Sequence, residues 1–295
     1  MKNENQIFAL GFFDGVHLGH QALLRRCCAL AARQGCETAA ITFDDHPMRL
    51  FSDRNPPLIT TVHDRQLLLR HYGIQTIRCF PVTEEVMSTP WEVFLEQLCR
   101  QGAAGFVCGD DFRFGHRGEG DAERLQQYCA RHNLPCAVIP EQTHSGIRIS
   151  STQIRALIED GRMESAANLL GHPHILTGTV HHGRQLGRKL GIPTANLWIP
   201  AGIVVPKFGV YACRVVIGEQ TYPAVANVGV RPTVSGSGIT VEPWILDFQG
   251  DLYGEEIRLE FYRFLRPEKR FDTLEELQAE IRKNGEEVAK IFGIS

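Results

Sequence analysis

Two histidines three residues apart, His17 and His20, close the stretch "GFFDGVHLGH", which also carries Asp14 and the glycines Gly11 and Gly15. An apolar run, Ile7–Leu10, leads into it and a helical pattern follows. A helix N-terminus offers free N–H donors and positive potential. Glycines let a phosphate chain approach the backbone. Imidazole N–H groups suit charge that develops at a phosphorus under attack. Residues at i and i+3 share a helix face, so both rings can serve one site. The set fits nucleotidyl transfer without a protein nucleophile. Taken alone, it fits a polar helix cap with two incidental histidines equally well.

Other groups further along carry chemistry of the same kind. In "RISSTQIR", Ser151 or Thr152 reads as a helix N-cap with Arg155 in the first turn, an anion site. In "HHGRQLGRKLG", Gly183, Gly187 and Gly191 recur every four residues among Arg184, Arg188 and Lys189, as in a loop that wraps phosphates with backbone N–H groups. In "IPTANL", Thr194 and Asn196 point the same way if extended, offering two hard oxygens to Mg²⁺. Glu242 is a carboxylate in an otherwise apolar run. Each has a plainer reading: an exposed turn, a polar strand edge, a surface residue on an alternating strand.

The elements that must position these groups follow from periodicity. In the first half, apolar runs at Ile7–Leu10, Thr38–Phe43, Thr76–Phe80, Gly105–Cys108 and Cys136–Ile139 alternate with helical patterns near His20–Gln34, Asp64–His71, Trp91–Arg100 and Asp121–Arg131. In the first helix Leu23, Leu24, Cys27, Leu30 and Ala31 share a face, and Gly35 is a natural stop. Such alternation predicts a parallel, doubly wound sheet, which binds ligands beyond the carboxyl ends of its strands. The polar loops "GFFDGVHLGH", "FDDHP" and "GDDFRFGHRGEG" all follow apolar runs. Neither a G-x-G-x-x-G nor a Walker-type loop occurs. Two short helices follow near Ile147. After Gly171 the chain turns β-rich, with runs at Val210–Ile217, Ala224–Val228, Thr240–Phe248 and Glu256–Phe264, as in a small barrel. A last helix sets Leu274, Leu277, Ile281, Val288 and Ile291 at helical spacing. The domain boundary is expected near Leu170–Ile175, giving domains 1–172 and 173–295.

Composition narrows the class. A chain of 295 residues with 43% hydrophobic and 22% charged residues has material for two soluble cores. A formal net charge of −3 argues against nucleic acid as partner. No apolar stretch nears the ~20 residues of a membrane span, and the first residues lack a signal-peptide pattern. The nine cysteines form no C-x-x-C pair, so reduced thiols in a cytoplasmic protein are expected.

Several motifs together resemble one family. "GFFDGVHLGHQ", "TFDDHP" (Asp44 and Asp45 stand where the family usually has Glu-Pro), "GDDFRFG" and "ISSTQIR" are similar to the adenylyltransferase module of prokaryotic bifunctional FAD synthetases. "GTVHHGRQLGRKLGIPTANL", "NVGVRPT", "VEPWILDF" and "DLYG" are similar to their riboflavin kinase module. The resemblance runs from about Phe8 to Ile281. It implies an α/β Rossmann-like nucleotidyltransferase domain followed by an antiparallel six-stranded β-barrel with a C-terminal helix. It implies phosphorylation of riboflavin to FMN and adenylylation of FMN to FAD, with ATP as co-substrate and Mg²⁺ as cofactor.

Residue roles follow from the resemblance. His17, His20 and Arg155 would act on the adenylyl group, with Ser151 and Thr152 holding phosphates. Gly11, Phe12, Asp14, Gly15, Phe43, His46, Asp111 and Phe112 would contact nucleotide or flavin. In the second half Gly183, Gly187, Arg188 and Gly191 would hold ATP, Thr194 and Asn196 the metal, and Glu242 would act as base. The family's usual His is Trp244 here, which receives no catalytic role. Phe43 and Phe112 fit core packing equally well, and the plainer reading of Asp111 is a solvated loop carboxylate. Partners are expected to be small molecules, with weak self-association at most. Three rivals remain: transfer to another acceptor, against which the second half argues; a flavin-binding regulator, against which Thr194, Asn196 and Glu242 argue; and an enzyme with one working activity.

Overall fold

Five apolar runs of the first half are strands: β1 (Gln6–Leu10), β2 (Glu37–Phe43), β3 (Thr76–Phe80), β4 (Ala103–Gly109) and β5 (Cys136–Ile139). They pair in parallel in the order β3-β2-β1-β4-β5. Strands covered on both faces have no polar side, which is why the runs in the middle of the sheet are nearly continuously apolar. The central strand β1 is buried from end to end. The order reverses between β1 and β4, so their carboxyl ends open a crevice. This computed structural model describes residues 5–50, 56–182, 192–233 and 236–294.

The helices that cover this sheet are α1 (Leu18–Gln34), α2 (Val62–His71), the single turn α3 (Glu84–Met87), α4 (Trp91–Arg100) and α5 (Ala122–Arg131). α1 buries Leu23, Leu24, Cys27, Leu30 and Ala31, the face expected, and ends at Gly35 with φ 65°. It starts two residues earlier than its periodicity indicates, because a side chain outside the apolar pattern caps it. The hairpin β6 (Thr143–His144) and β7 (Ile147–Arg148) has no sequence signal of its own. Its strands are exposed and too short to alternate. Ser145 and Gly146 turn it with φ of 51° and 78°, the paired positive values of a two-residue hairpin turn.

The chain divides into two compact units between Ser151 and Thr152, with Ile59–Thr61 grouped with the second. The helices α6 (Ser151–Glu159) and α7 (Met163–Leu170) lead into the second unit. Its sheet holds β8 (His174–Thr179), β9 (Leu197–Trp198), β10 (Gly209–Ile217), β11 (Gln220–Thr233), β12 (Gly236–Ile245) and β13 (Glu256–Arg266). They pair antiparallel in the order β8-β13-β10-β11-β12-β9. The two end strands meet where His181 N donates to Asn196 O at 2.9 Å, so the sheet curls into a barrel. The run expected as Thr240–Phe248 ends at Ile245, short of Asp247 with its φ of 56°.

The last helix, α8 (Leu274–Phe292), is capped by Thr273, whose side chain accepts from Glu276 N. It lies against β10 and β11. Its expected apolar stripe is split. Val288 is buried with Asn284 and Gly285, Leu277 and Ile281 face a cavity, and Leu274 is 51% exposed.

α7 packs on β13 and β8, and Arg263 Nε meets Glu164 Oε1 at 2.6 Å. Residues 152–172 therefore count with the barrel in packing, although the sequence boundary lies after them. A fragment of residues 152–295 should melt cooperatively and at higher temperature than one of residues 173–295, which loses the cover that Met163, Ala166, Leu169 and Leu170 bury. Circular dichroism melts compare the two; equal midpoints would show that α7 adds nothing to the barrel.

Candidate active sites

The segment between β1 and α1 is strained. Phe13 and Val16 take φ of 59° and 40°, and Gly15 takes 78°. Left-handed backbone is costly for non-glycine residues, above all for a β-branched one. The Phe13 ring pins the segment. It is fully buried and folds back on Gly11, where a Cβ would stand 2.9 Å from its Cζ. Thr42 Oγ1 donates to Phe12 O at 2.7 Å and Ser151 Oγ to Asp14 O at 3.2 Å.

His17 is the N-cap of α1: its Nδ1 accepts from His20 N at 3.3 Å. The His17 and His20 rings stack, with centroids 3.7 Å apart and planes 13° apart. Gly19 makes room, since a Cβ there would sit 3.1 Å from His17 Cε1. Both rings line a cavity of about 230 Å³ at the ends of β4 and β5, together with Asp111, Glu141, Arg148 and Ser151. Its rim is charged. Arg148 pairs with Glu141 and lies 3.4 Å from Asp111 Oδ2.

His20 Nδ1 has no hydrogen-bond partner among the described residues. Burial, then the charges of His17 and Arg65, hold its pKa well below 6.5, so the ring is neutral near pH 7. Arg65 had no sequence signal beyond its place beside Leu68 and Leu69 on the buried face of α2. It is fully buried, donates from Nη1 to Thr42 Oγ1 at 2.9 Å and Phe43 O at 2.6 Å, and lies 4.6 Å over the Phe12 ring. One guanidinium thus ties the loop after β1 to the loop after β2. Burial lowers its pKa, against the charges of Asp14, Cys79, Asp44 and Asp45.

Other expected residues lie elsewhere. Phe43, His46 and Phe112 do not line the cavity. His46 meets the Phe12 ring edge-on at 5.1 Å, Phe43 is 6.4 Å from Phe80, and Phe112 stacks on Phe114 at 5.6 Å. Ser151 and Thr152 are the first residues of α6 rather than its cap. Thr152 is exposed and Arg155 buried, both in the second unit. Gly183, Gly187, Arg188 and Gly191 fall outside the described residues.

In the barrel, Thr194, Asn227, Glu242 and Trp244 line a cavity of about 540 Å³ roofed by Leu277 and Ile281 of α8. Glu242 stands opposite Asn227 in the β11–β12 ladder, and Thr194 bridges Trp244. Asn196 does not line the cavity. It is buried, donates from Nδ2 to Thr194 O at 3.3 Å, and accepts on Oδ1 from Arg231. Arg231 Nη1 also lies 3.3 Å from Glu242 Oε1, a tie that spacing alone does not reveal. Among the described residues no cluster of three or more His, Cys, Asp or Glu is set to hold a metal. Thr194 and Asn196 are donors of another class.

Comparisons with known proteins follow the same division. Residues 1–153 match the family described as FAD synthetase, and residues 170–292 the family described as riboflavin kinase. A bifunctional riboflavin kinase/FMN adenylyltransferase of Listeria monocytogenes is 34% identical over 98% of this chain and 93% of its own. One from Escherichia coli is 34% identical over 99% and 94%. A solved structure from Streptococcus pneumoniae, titled a macrolide-efflux protein, is 30% identical with a TM-score of 0.84, covering 96% of this chain and 93% of its own.

Two outcomes test the geometry at His17 and His20. Followed by NMR in the free protein, His20 should stay neutral through pH 6.5 and protonate well below it. The unfolded chain takes up that proton near 6.5. His20 therefore supports folding above about pH 6.5, and that support is lost as the pH falls from there toward the native value. Titration near 6.5 would contradict its burial. Gly19→Ala should keep or raise the melting temperature, since alanine favours a helix by up to ~1 kcal/mol over glycine, while the added methyl displaces His17 and weakens its ring-current shifts. A lower midpoint with unchanged ring shifts would refute this.

Proposed function

The chain belongs to the family of bifunctional riboflavin kinases/FMN adenylyltransferases, and from that premise we propose how its residues divide the work. It is an enzyme of flavin cofactor biosynthesis, making FMN from riboflavin and FAD from FMN. Adenylyl transfer is assigned to residues 1–172 and phosphoryl transfer to residues 173–295. The observation that carries the assignment is the pairing of each cavity with the chemistry it needs. Stacked histidines sit at a helix N-terminus at the sheet's switch point, and Glu242 stands with Thr194 and Asn227 in the lining of the barrel cavity.

In adenylyl transfer an oxygen of the FMN phosphate attacks the α-phosphorus of ATP, and pyrophosphate leaves with the electrons of the broken P–O bond. No base is needed, because the phosphate is already ionised near pH 7. Neutral His20 and His17, whose side chains line the cavity, would donate to oxygens that gain charge. Ser151, Thr152 and Arg155 would hold phosphates, and Asp111 the rim. Gly11, Phe12, Asp14 and Gly15 do not line the cavity and remain nucleotide or flavin contacts by resemblance. Phe43, His46 and Phe112 remain flavin contacts by resemblance, from outside the cavity.

In phosphoryl transfer the 5′-hydroxyl of riboflavin attacks the γ-phosphorus, its proton passes to Glu242, and ADP leaves. Gly183, Gly187, Arg188 and Gly191 would wrap the phosphates. Mg²⁺ bound here would offset phosphate charge. The donor chemistry fits, since Thr194 Oγ1 and Asn196 Oδ1 are hard oxygens; Asn196 would first yield its bond from Arg231. ATP and the flavins are small-molecule partners. All nine cysteines are free, as a reducing compartment keeps them, which supports a cytoplasmic setting.

A time course with riboflavin, ATP and Mg²⁺, separated by chromatography, should give FMN and then FAD. Glu242→Gln should cut FMN formation about 10²–10⁴-fold while added FMN is still adenylylated. His17→Ala or His20→Ala should cut adenylylation by roughly 10²-fold and leave FMN formation intact. Loss of both activities in either variant would mean that the residues are not divided in this way.

A further inference from the structure

The glycine in the middle of α8 points to a role for Trp244. Gly285 lies seven residues before the helix end at Phe292 and is not among the glycines with a positive φ. Its backbone therefore needs no glycine, and glycine weakens a helix interior. The space around it supplies the reason. A Cβ on Gly285 would stand 2.7 Å from Cζ3 and 3.0 Å from Cη2 of Trp244. The helix cannot back away, because Asn284 Oδ1 accepts from Arg266 Nε at 3.1 Å and Nη2 at 2.9 Å. α8 is thus fixed at a distance that only a bare backbone allows, with the indole held between it and the barrel.

The indole is only half-buried and lines the cavity that holds Glu242. Glu242 and Trp244 are two apart on β12, so they share a face of the strand. The Trp244 backbone also bridges Thr194. One residue therefore abuts the metal-binding stretch, the base and the roof helix, and sets a flat π-surface among Val210, Val225, Leu277 and Ile281. A wide, flat aromatic ring system carrying a hydroxylated chain matches such a cavity, with the ring on the indole and the chain toward Glu242.

We propose that Trp244 determines flavin specificity in the kinase site: the isoalloxazine ring stacks on its indole, and Gly285 holds the indole where stacking is possible. This rests on the reading of the barrel cavity as the riboflavin site. Trp244 is a binding residue and takes no part in proton or phosphoryl transfer.

The test uses the full chain. Trp244→Leu keeps an apolar wall without a π-face. It should raise the riboflavin KM about tenfold, the scale of an aromatic pair, with kcat within about twofold of wild type. Trp244→Phe should recover most of that loss. Contact with an indole quenches flavin emission, so riboflavin bound with ADP and Mg²⁺ should be dark in wild type and bright in Trp244→Leu. Gly285→Ala, which pushes the indole into the cavity, should raise KM with Trp244 still present. Circular dichroism melts of the same samples report folding. A wild-type KM and unchanged flavin emission in Trp244→Leu would overturn the proposal alone. If Trp244→Leu does not fold, equal KM values for wild type, Trp244→Phe and Gly285→Ala would overturn it. Wild-type protein that forms no FMN from riboflavin would overturn the cavity reading and the proposal with it.

Discussion

Burial of one phenyl ring sets the geometry of the first unit. Phe13 lies against Gly11 in a left-handed conformation, and the chain between them can then neither extend β1 nor begin α1. It turns once through Asp14–Val16 and delivers His17 as the helix cap. The cost of two non-glycine residues at positive φ, of order 1–3 kcal/mol each, is offset by a fully buried Phe ring, worth about 1.5–3 kcal/mol. What the strain secures is position. The first N–H groups of α1, the His17 and His20 rings and the ends of β4 and β5 face one space. Arg65 extends the constraint to the neighbouring loop by fixing the Phe43 carbonyl beside the Phe12 ring.

In the barrel, hydrogen bonds hold what a buried ring holds in the sheet unit. Arg266 ties α8 to β13 through Asn284 and lies 3.2 Å from Glu280. Arg231 joins Asn196 to Glu242 across strands β11, β12 and the approach to β9. Glu242 Oε1 also accepts from Thr240 Oγ1 at 3.5 Å, so two neighbours fix where this carboxylate stands.

The regular parts of this architecture were legible because they are periodic. All five parallel strands announce themselves as apolar runs, and α1 by its buried stripe. Short pieces were not legible. β9 has two residues and the β6–β7 hairpin four, too few for any period. Among site residues, His17, His20, Ser151, Thr194 and Glu242 could be read from type and spacing and Asp111 through the family resemblance, and each lines a cavity. Arg65 and Arg231 could not. Their importance comes from partners 23 and 35 residues away in sequence, and only the fold creates those neighbours. Asn196 shows the reverse: its spacing from Thr194 suggested a shared face, but Arg231 draws its oxygen away from the cavity.

The meeting of β8 and β9 also bears on how the protein behaves in crowded solution. An open sheet edge is a template on which another chain can add a strand. The curled barrel brings its two edges together at His181 and Asn196, and β9 is only two residues long. On the parallel sheet, the edge strand β3 is only five residues long, and a short edge offers little to pair with. With a net charge of only −3 over 295 residues, mutual repulsion between molecules is weak. Edge geometry rather than charge is then what limits strand addition between molecules.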